Sequence, residues 1–342
     1  MTRKHHLLDE DDVRVRPGKG KSRPRSKERP EHAQAQPGTV MTVDRGRFTV
    51  ELDDGTDVYA IKARELGRKG IVVGDHVDIV GDVSGDTDTQ GRIVRRTERI
   101  STLRRTADDT DPVERVVVAN ATQLAVVTAT VDPEPRTGLI DRAVVAALDA
   151  GIEPMLVVTK TDMRSADQLL ELYGPLELPL FLVASKRVPD ALREALADEC
   201  TVLVGHSGVG KSTLVNSLIP DAERLTGHVN AVTGRGRHTS TSVVALHLPG
   251  GGMIIDTPGI RSFGLAHVDL ARVIAAFPDL DALTGDCPRS CSHDEPECAL
   301  NTALEGATGP SNLAARVESL RRLVRSRSAS PDDDPEAAAP TC

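Results

Sequence analysis

Thr201-Val-Leu-Val204 runs straight into Gly205-His-Ser-Gly-Val-Gly-Lys-Ser212, and a helical pattern, Lys211–Leu218, follows. An apolar strand, a glycine-rich turn with GxxxxGK[ST] spacing and a helix start together make a phosphate cradle. Its glycines take positive φ and let main-chain N–H groups close on an anion at the helix N-terminus. The candidate nucleotide contacts here are Gly205, His206, Ser207, Gly208, Val209, Gly210, Lys211, Ser212 and Thr213. In that arrangement Lys211 reaches the β- and γ-phosphates and Ser212 holds Mg²⁺.

Beyond this loop, the strand Met253–Asp256 ends in Asp256-Thr-Pro-Gly259. A carboxylate at that strand end acts on Mg²⁺ directly or through water, and the Gly259 N–H would meet the γ-phosphate. Before the loop, Met155-Leu-Val-Val158 ends in Thr159-Lys160-Thr161-Asp162. The Asp162 carboxylate can accept from both N1–H and N2–H₂ of guanine, a pair that adenine does not offer. The Lys160 stem can lie across the base. Ala184-Ser185-Lys186 follows the next strand, where a main-chain N–H at Ser185 can meet the guanine O6. Base recognition therefore precedes phosphate recognition, the reverse of most GTPases. The chain reads as a circular permutation, which a closed α/β domain tolerates.

The surroundings fit. Apolar strand patterns at Val116–Ala119, Leu124–Ala129, Met155–Thr159, Leu180–Val183, Thr201–Val204, Val243–Leu248 and Met253–Asp256 alternate with helical ones at Leu139–Ala150, Ala166–Leu172, Ala191–Ala197 and Lys211–Leu218. Near-continuous β-branched runs between helices predict a mostly parallel sheet covered on both faces, with ligands at the carboxyl ends of its strands. Upstream, residues 37–98 carry five short runs, Thr39–Val43, Arg47–Leu52, Val58–Lys62, Val77–Val80 and Arg92–Arg95, with a hairpin signal at Asp53-Asp54-Gly55. They suit a small barrel such as an OB-fold; an SH3-like barrel or a plain meander has the same pattern.

Downstream, Cys287, Cys291, His293 and Cys298 form C-x₃-C-x-H-x₄-C. Three thiolates and an imidazole within twelve residues suit a closed tetrahedral Zn²⁺ site, whose binding would supply folding energy to a small segment. Ser311 reads as the N-cap of a helix through Leu323, and Arg316, Arg321, Arg322, Arg325 and Arg327 read as a basic edge, either solvated or facing RNA.

Composition bounds the function. The 342 residues carry a net charge of -9 and include no Trp, two Tyr and four Phe, so base stacking is a poor basis for nucleic-acid binding. Five cysteines are too few for a disulfide framework. The absence of a long apolar run or an N-terminal apolar core predicts a cytoplasmic protein with no membrane partner. Residues Arg14–Arg29 hold eight basic side chains against Glu28, an isolated +7 block suited to a polyanion such as RNA. The far end, around Asp332–Glu336, is acidic.

In combination the motifs resemble the circularly permuted ribosome-assembly GTPases, the RsgA family. The carrying segments are Gly138-Leu-Ile-Asp-Arg142, Gly151-Ile-Glu-Pro154, Thr159–Asp162, Gly205–Thr213, Thr226-Gly227, Gly234-Arg-Gly-Arg-His-Thr239 and Asp256-Thr-Pro-Gly-Ile-Arg261. The resemblance covers roughly residues 37–325. It implies an N-terminal OB-fold, a central P-loop GTPase and a C-terminal zinc domain. It also implies hydrolysis of GTP to GDP, stimulated by the small (30S) ribosomal subunit and its 16S rRNA, late in subunit maturation. The expected architecture is a circularly permuted α/β P-loop GTPase domain with an OB-fold barrel and a small zinc-binding helical domain. Its expected parts are a basic tail at 1–36, a barrel at 37–98, the GTPase at 99–265, the zinc domain at 266–325 and an acidic tail at 326–342, in a monomer.

Two positions depart from the family pattern. Thr159 stands where Asn is usual, and each gap of the cysteine cluster is one residue short. Ile260 occupies the place of the water-orienting Gln of many GTPases, which leaves His238 as the candidate catalytic group. Thr239, Ser240 and Thr241 are alternative caps for Mg²⁺ and γ-phosphate. A competing reading is an RNA-binding assembly factor whose nucleotide site is mainly structural.

Overall fold

The computed structural model describes residues 32–66, 70–86, 89–105, 115–220, 243–258, 263, 265, 267–306 and 312–327. The chain divides into two units, Met1–Ala33 and Gln34–Cys342, and every element below belongs to the second.

Five strands open that unit: β1 (Gln36–Asp44), β2 (Arg47–Leu52), β3 (Asp57–Lys62), β4 (His76–Gly81) and β5 (Gly91–Arg96). Alternation decides their faces. Val40, Phe48, Val50, Val58, Ile79 and Ile93 point inward and form one core. The β2–β3 turn is local chemistry: Asp54 accepts from the Thr56 N–H at 2.9 Å, and Gly55 sits at φ 84°. The strands pair in the order β1-β2-β3-β5-β4, β4 closes back on β1, and β3 runs parallel to β5. That closed order excludes a plain meander and gives the five-stranded barrel of an OB-fold.

The second layer is a parallel sheet. Strands β8 (Gln123–Ala129), β9 (Glu153–Thr159), β10 (Leu180–Leu182), β11 (Cys200–Val204) and β13 (Met253–Asp256) run parallel in the order β10-β9-β8-β11-β13. Helices α1 (Thr137–Asp149), α2 (Asp167–Tyr173), α3 (Asp190–Leu196) and α4 (Lys211–Leu218) connect or follow them. Every residue of β8 is buried because both faces are covered. One face packs Leu124, Val126 and Leu156 with Ile140 and Val144; the other packs Ala125, Val127 and Val157 with Leu192 and Leu214. Strand β12 (Val244–His247) pairs antiparallel to β13 and meets β1 at Val244 and Thr42, so barrel and sheet form one eleven-stranded surface.

The pattern at Val116–Ala119 belongs elsewhere. Its strand β7 (Arg115–Ala119) pairs antiparallel with β6 (Thr102–Arg105), outside the parallel sheet. The burial of β7 explains this: only Val118 and Ala119 are fully covered, which is a one-sided strand and not a central one.

Four further helices follow: α5 (Leu270–Ala275), α6 (Pro278–Asp281), α7 (Ala299–Glu305) and α8 (Leu313–Ser326). Asp269 caps α5 by accepting from the Ala271 N–H. Ser311, the expected cap of α8, lies outside the described residues. Of the basic edge expected on α8, Arg316, Arg321 and Arg322 are turned onto neighbouring elements, while the Arg325 side chain stays 51 % exposed. Arg316, 5 % exposed, forks onto Asp279 at 2.6 and 2.7 Å. Arg322 pairs with buried Asp141 of α1 at 3.1 Å and stacks 4.8 Å from the Tyr173 ring. Arg321 donates to the carbonyl of His293 at 2.8 Å, and Arg325 forks onto Asp294. These guanidinium groups fasten α8 to its neighbours, because each finds a carboxylate or carbonyl in the fixed geometry that its fork requires. Among the described residues no helix is long and apolar enough to cross a membrane.

Candidate functional site

The nucleotide motifs meet at the carboxyl ends of the parallel strands. Strand β11 delivers Gly205 at φ 151°, where a Cβ would stand 2.2 Å from the Val127 carbonyl oxygen. No larger residue passes under β8 there. Gly208 and Gly210 take φ of 85° and 96°, and Gly210 caps α4 in the left-handed conformation. Lys211 folds back over the loop, with Nζ donating to the carbonyls of Gly205 and His206. Ser212 and Thr213 are exposed at the helix start.

Asp256 closes this group. It pairs in register with Leu203 of β11, and the adjacent Thr257 hydroxyl donates to the Leu203 carbonyl at 2.6 Å. Burial pushes the Asp256 carboxyl above its ordinary pKa, while Lys211 opposes that shift. Burial in turn lowers the Lys211 ammonium pKa, against the pull of Asp256. Asp256 Oδ1 is buried with no hydrogen-bond partner among the described groups. An orphaned carboxylate oxygen at the end of β13 and an exposed serine hydroxyl at the start of α4 are donor types that suit a hard divalent cation.

The base motif lies one strand over. Lys160 stands at φ 57°, and its Nζ donates to the carbonyl of Asp132. Thr161 donates its N–H to the Val183 carbonyl at 3.3 Å. Asp162 Oδ1 accepts the Ser185 N–H at 2.8 Å, and that bond holds the exposed carboxylate below its ordinary pKa. The Ser185 N–H expected to meet a base O6 is thus directed at Asp162. Lys160, Asp162, Met163, Ser185, Lys186 and Thr213 help line a cavity of about 440 Å³. Thr159 is buried, and its hydroxyl lies 2.6 Å from the Val209 carbonyl and 3.1 Å from that of Thr128. This link between base strand and phosphate loop carries no sequence motif of its own. Its one signal was the substitution of Thr for Asn.

The cysteine cluster is assembled. The ligand atoms of Cys287, Cys291, His293 and Cys298 all lie within 4.8 Å of one another. Cys287 Sγ stands 3.7 Å from His293 Nδ1 and 3.8 Å from Cys298 Sγ, and Cys298 Sγ is 3.9 Å from the same nitrogen. Metal–sulfur bonds of ~2.3 Å and metal–nitrogen bonds of ~2.0–2.1 Å in a tetrahedron need edges of roughly 3.5–3.8 Å, so the set fits. Shortening each gap by one residue has not separated the ligands. Burial pushes the Cys291 thiol up to about 12. The Ser292 N–H leads in holding the Glu295 carboxyl down at about 2. A bound cation would displace the thiol protons. Cys200 is a packing thiol, pushed up to about 11 by burial.

Several expected residues lie outside the described ones: Arg14–Arg29, Thr226, Gly227, His238, Thr239, Ser240, Thr241, Gly259, Ile260, Ser311 and Asp332–Glu336.

Comparison with known proteins adds family context. The profile of the RsgA GTPase family matches residues 96–266. The small ribosomal subunit biogenesis GTPase RsgA of Pseudomonas aeruginosa (strain LESB58) is 44 % identical over 210 residues, covering 58 % of this chain. The chain spans 62 % of that relative's length. The protein of the same name from Pseudomonas syringae pv. tomato is 37 % identical over 303 residues, 85 % of each chain. Among solved structures, YjeQ from Thermotoga maritima matches with a TM-score of 0.61 and 25 % identity, covering 86 % of this chain and 99 % of its own. YloQ, described as a circularly permuted GTPase, matches in fold with a TM-score of 0.59 and 23 % identity, over 88 % of this chain and 98 % of its own.

Proposed function

The chain belongs to the RsgA GTPase family, and on that premise we propose that it hydrolyses GTP to GDP and phosphate in late maturation of the small (30S) ribosomal subunit, which stimulates it. One observation carries the reading: phosphate loop, base motif and Asp256 stand at the carboxyl ends of strands in one parallel sheet. In this reading Gly205–Thr213 cradle the phosphates, and Lys211 leaves its carbonyl partners for the β- and γ-phosphates. Asp162 reads guanine N1 and N2, Lys160 covers the base, and Gly259 meets the γ-phosphate. Ser212 and Asp256 hold Mg²⁺, which when bound neutralises phosphate charge.

Cys287, Cys291, His293 and Cys298 hold one structural Zn²⁺ in this proposal. His238 is assigned the attacking water, since Ile260 cannot orient it. The proposed parts are a basic arm at 1–36, the barrel at 37–98, the GTPase at 99–265, the zinc segment at 266–325 and an acidic tail at 326–342 of a cytoplasmic monomer. The barrel and the arm contact 16S rRNA; the arm adds affinity through phosphates without fixing register.

The test is a nucleotide competition and turnover assay with and without ribosomal subunits. GTP and GDP should compete while ATP does not, and small subunits should raise a slow basal turnover. Fast turnover alone, or equal stimulation by large and small subunits, would overturn the proposal.

A further inference from the structure

Thr159 ends β9 at the floor of the cavity and is 5 % exposed. Its hydroxyl oxygen has two close neighbours, the Val209 carbonyl at 2.6 Å and the Thr128 carbonyl at 3.1 Å. Both are acceptors. A hydroxyl carries one proton, so that proton is spent on main-chain oxygen, the shorter contact being to the phosphate loop. Gly210 lies beside the Thr159 side chain, and its φ of 96° is the conformation that favours glycine at this turn of the loop.

We infer that Thr159 is a positioning residue that ties the base pocket to the phosphate loop and offers no donor to the base, so that guanine is selected at its N1 and N2 edge and its N7 goes unread by this position. The inference rests on the guanine-nucleotide reading proposed above. The carboxylate of Asp162, braced by the Ser185 N–H, then carries the discrimination. The ammonium of Lys160 is directed at the Asp132 carbonyl.

The wild-type full-length protein tests this without mutation. 7-Deaza-GTP, in which N7 is replaced by C–H, should bind within about twofold of GTP. ITP, which lacks the N2 amino group, should bind about tenfold or more weakly, because the Asp162 carboxylate loses one of its two donors. Thr159→Val keeps the shape and removes the hydroxyl. It should weaken GTP and GDP together by about tenfold, since an unmade bond at the loop leaves a carbonyl unpaired, while GTP and 7-deaza-GTP still bind alike. Thr159→Ser restores the hydroxyl and should recover most of that loss.

A fivefold or larger preference for GTP over 7-deaza-GTP in the wild type would overturn the inference. So would Thr159→Val binding GTP as the wild type does. Should the valine variant not fold, the wild-type comparison and the serine variant still decide. Failure of GTP, 7-deaza-GTP and ITP alike to bind the wild type would instead overturn the nucleotide reading, and the inference with it.

Discussion

The two ends of this fold are held by different means. The nucleotide end is made of main chain: glycines at positive φ, carbonyls gripping Lys211, one threonine hydroxyl, and partners brought together by parallel strands. The C-terminal end is made of guanidinium groups. Arg316, Arg321, Arg322 and Arg325 fasten α8 to Asp279, His293, Asp141 and Asp294, and Arg142 joins the carbonyls of Phe263 and Ser326. A main-chain site needs few residues and tolerates little change in their type. An arginine-fastened interface uses many long side chains, each depending on a partner far along the chain. The first should fail in function while remaining folded, and the second should fail in stability.

Two losses that do not cross would mark that division most sharply. Lys211→Ala should reduce GTP turnover by about 10²–10³-fold and leave the metal content of the purified protein unchanged. Cys291→Ala should empty the metal site, read by elemental analysis, and leave GTP affinity within a few fold. Loss of nucleotide binding along with the metal would show that the two ends are one cooperative unit.

Arg322→Met comes next. It removes the charged partner of Asp141, a buried carboxylate on α1. Breaking such a pair from one side costs about 3 kcal/mol. Denaturant unfolding should show that loss while basal turnover per folded molecule holds.

The smallest effect is in acid. Arg316 and Arg325 hold Asp279 and Asp294 below the ordinary carboxylate value of 3.8. Each therefore contributes stability that is present above that value and fades as pH falls through the lowered one. Asp141 has the opposite sign, since burial raises it. Thermal melts between pH 5 and pH 2, with Asp279→Asn as the comparison, should show a shallower acid decline in the variant.

The same division explains what could be read from sequence. The phosphate loop, β13 and the cysteine cluster each lie within a dozen residues, so their chemistry is written contiguously. The barrel strands were legible because alternation over Arg47–Leu52 or Asp57–Lys62 is a local signal. Strand β6 carries little signal because Thr102–Arg105 is polar and short, and without it the sequence offers no partner for β7 outside the parallel sheet. The partners of the α8 arginines are not legible because helix spacing gives a face but not what lies opposite it. Asp279 is 37 positions from Arg316 and Asp141 is 181 from Arg322. The Thr159 tie joins positions 50 apart, and only the backbone path of the phosphate loop brings them together.

The strand order also sets a schedule for the growing chain. Strands β8, β9 and β10 are neighbours at one edge of the sheet and are consecutive in synthesis. They can pair, with α1 and α2 across them, while the rest is still being translated. The base pocket's strands then exist before there is any phosphate loop to complete the site. Strand β11 adds to the exposed side of β8; β12 and then β13 follow in synthesis, β13 pairing with β11 and β12 reaching back to β1 of the barrel made at the start. In the proposed reading the site is complete only when β13, the last of the parallel strands to be made, has delivered Asp256. Binding competence therefore arrives late, when the barrel and the base-side half of the sheet are already in place to receive it.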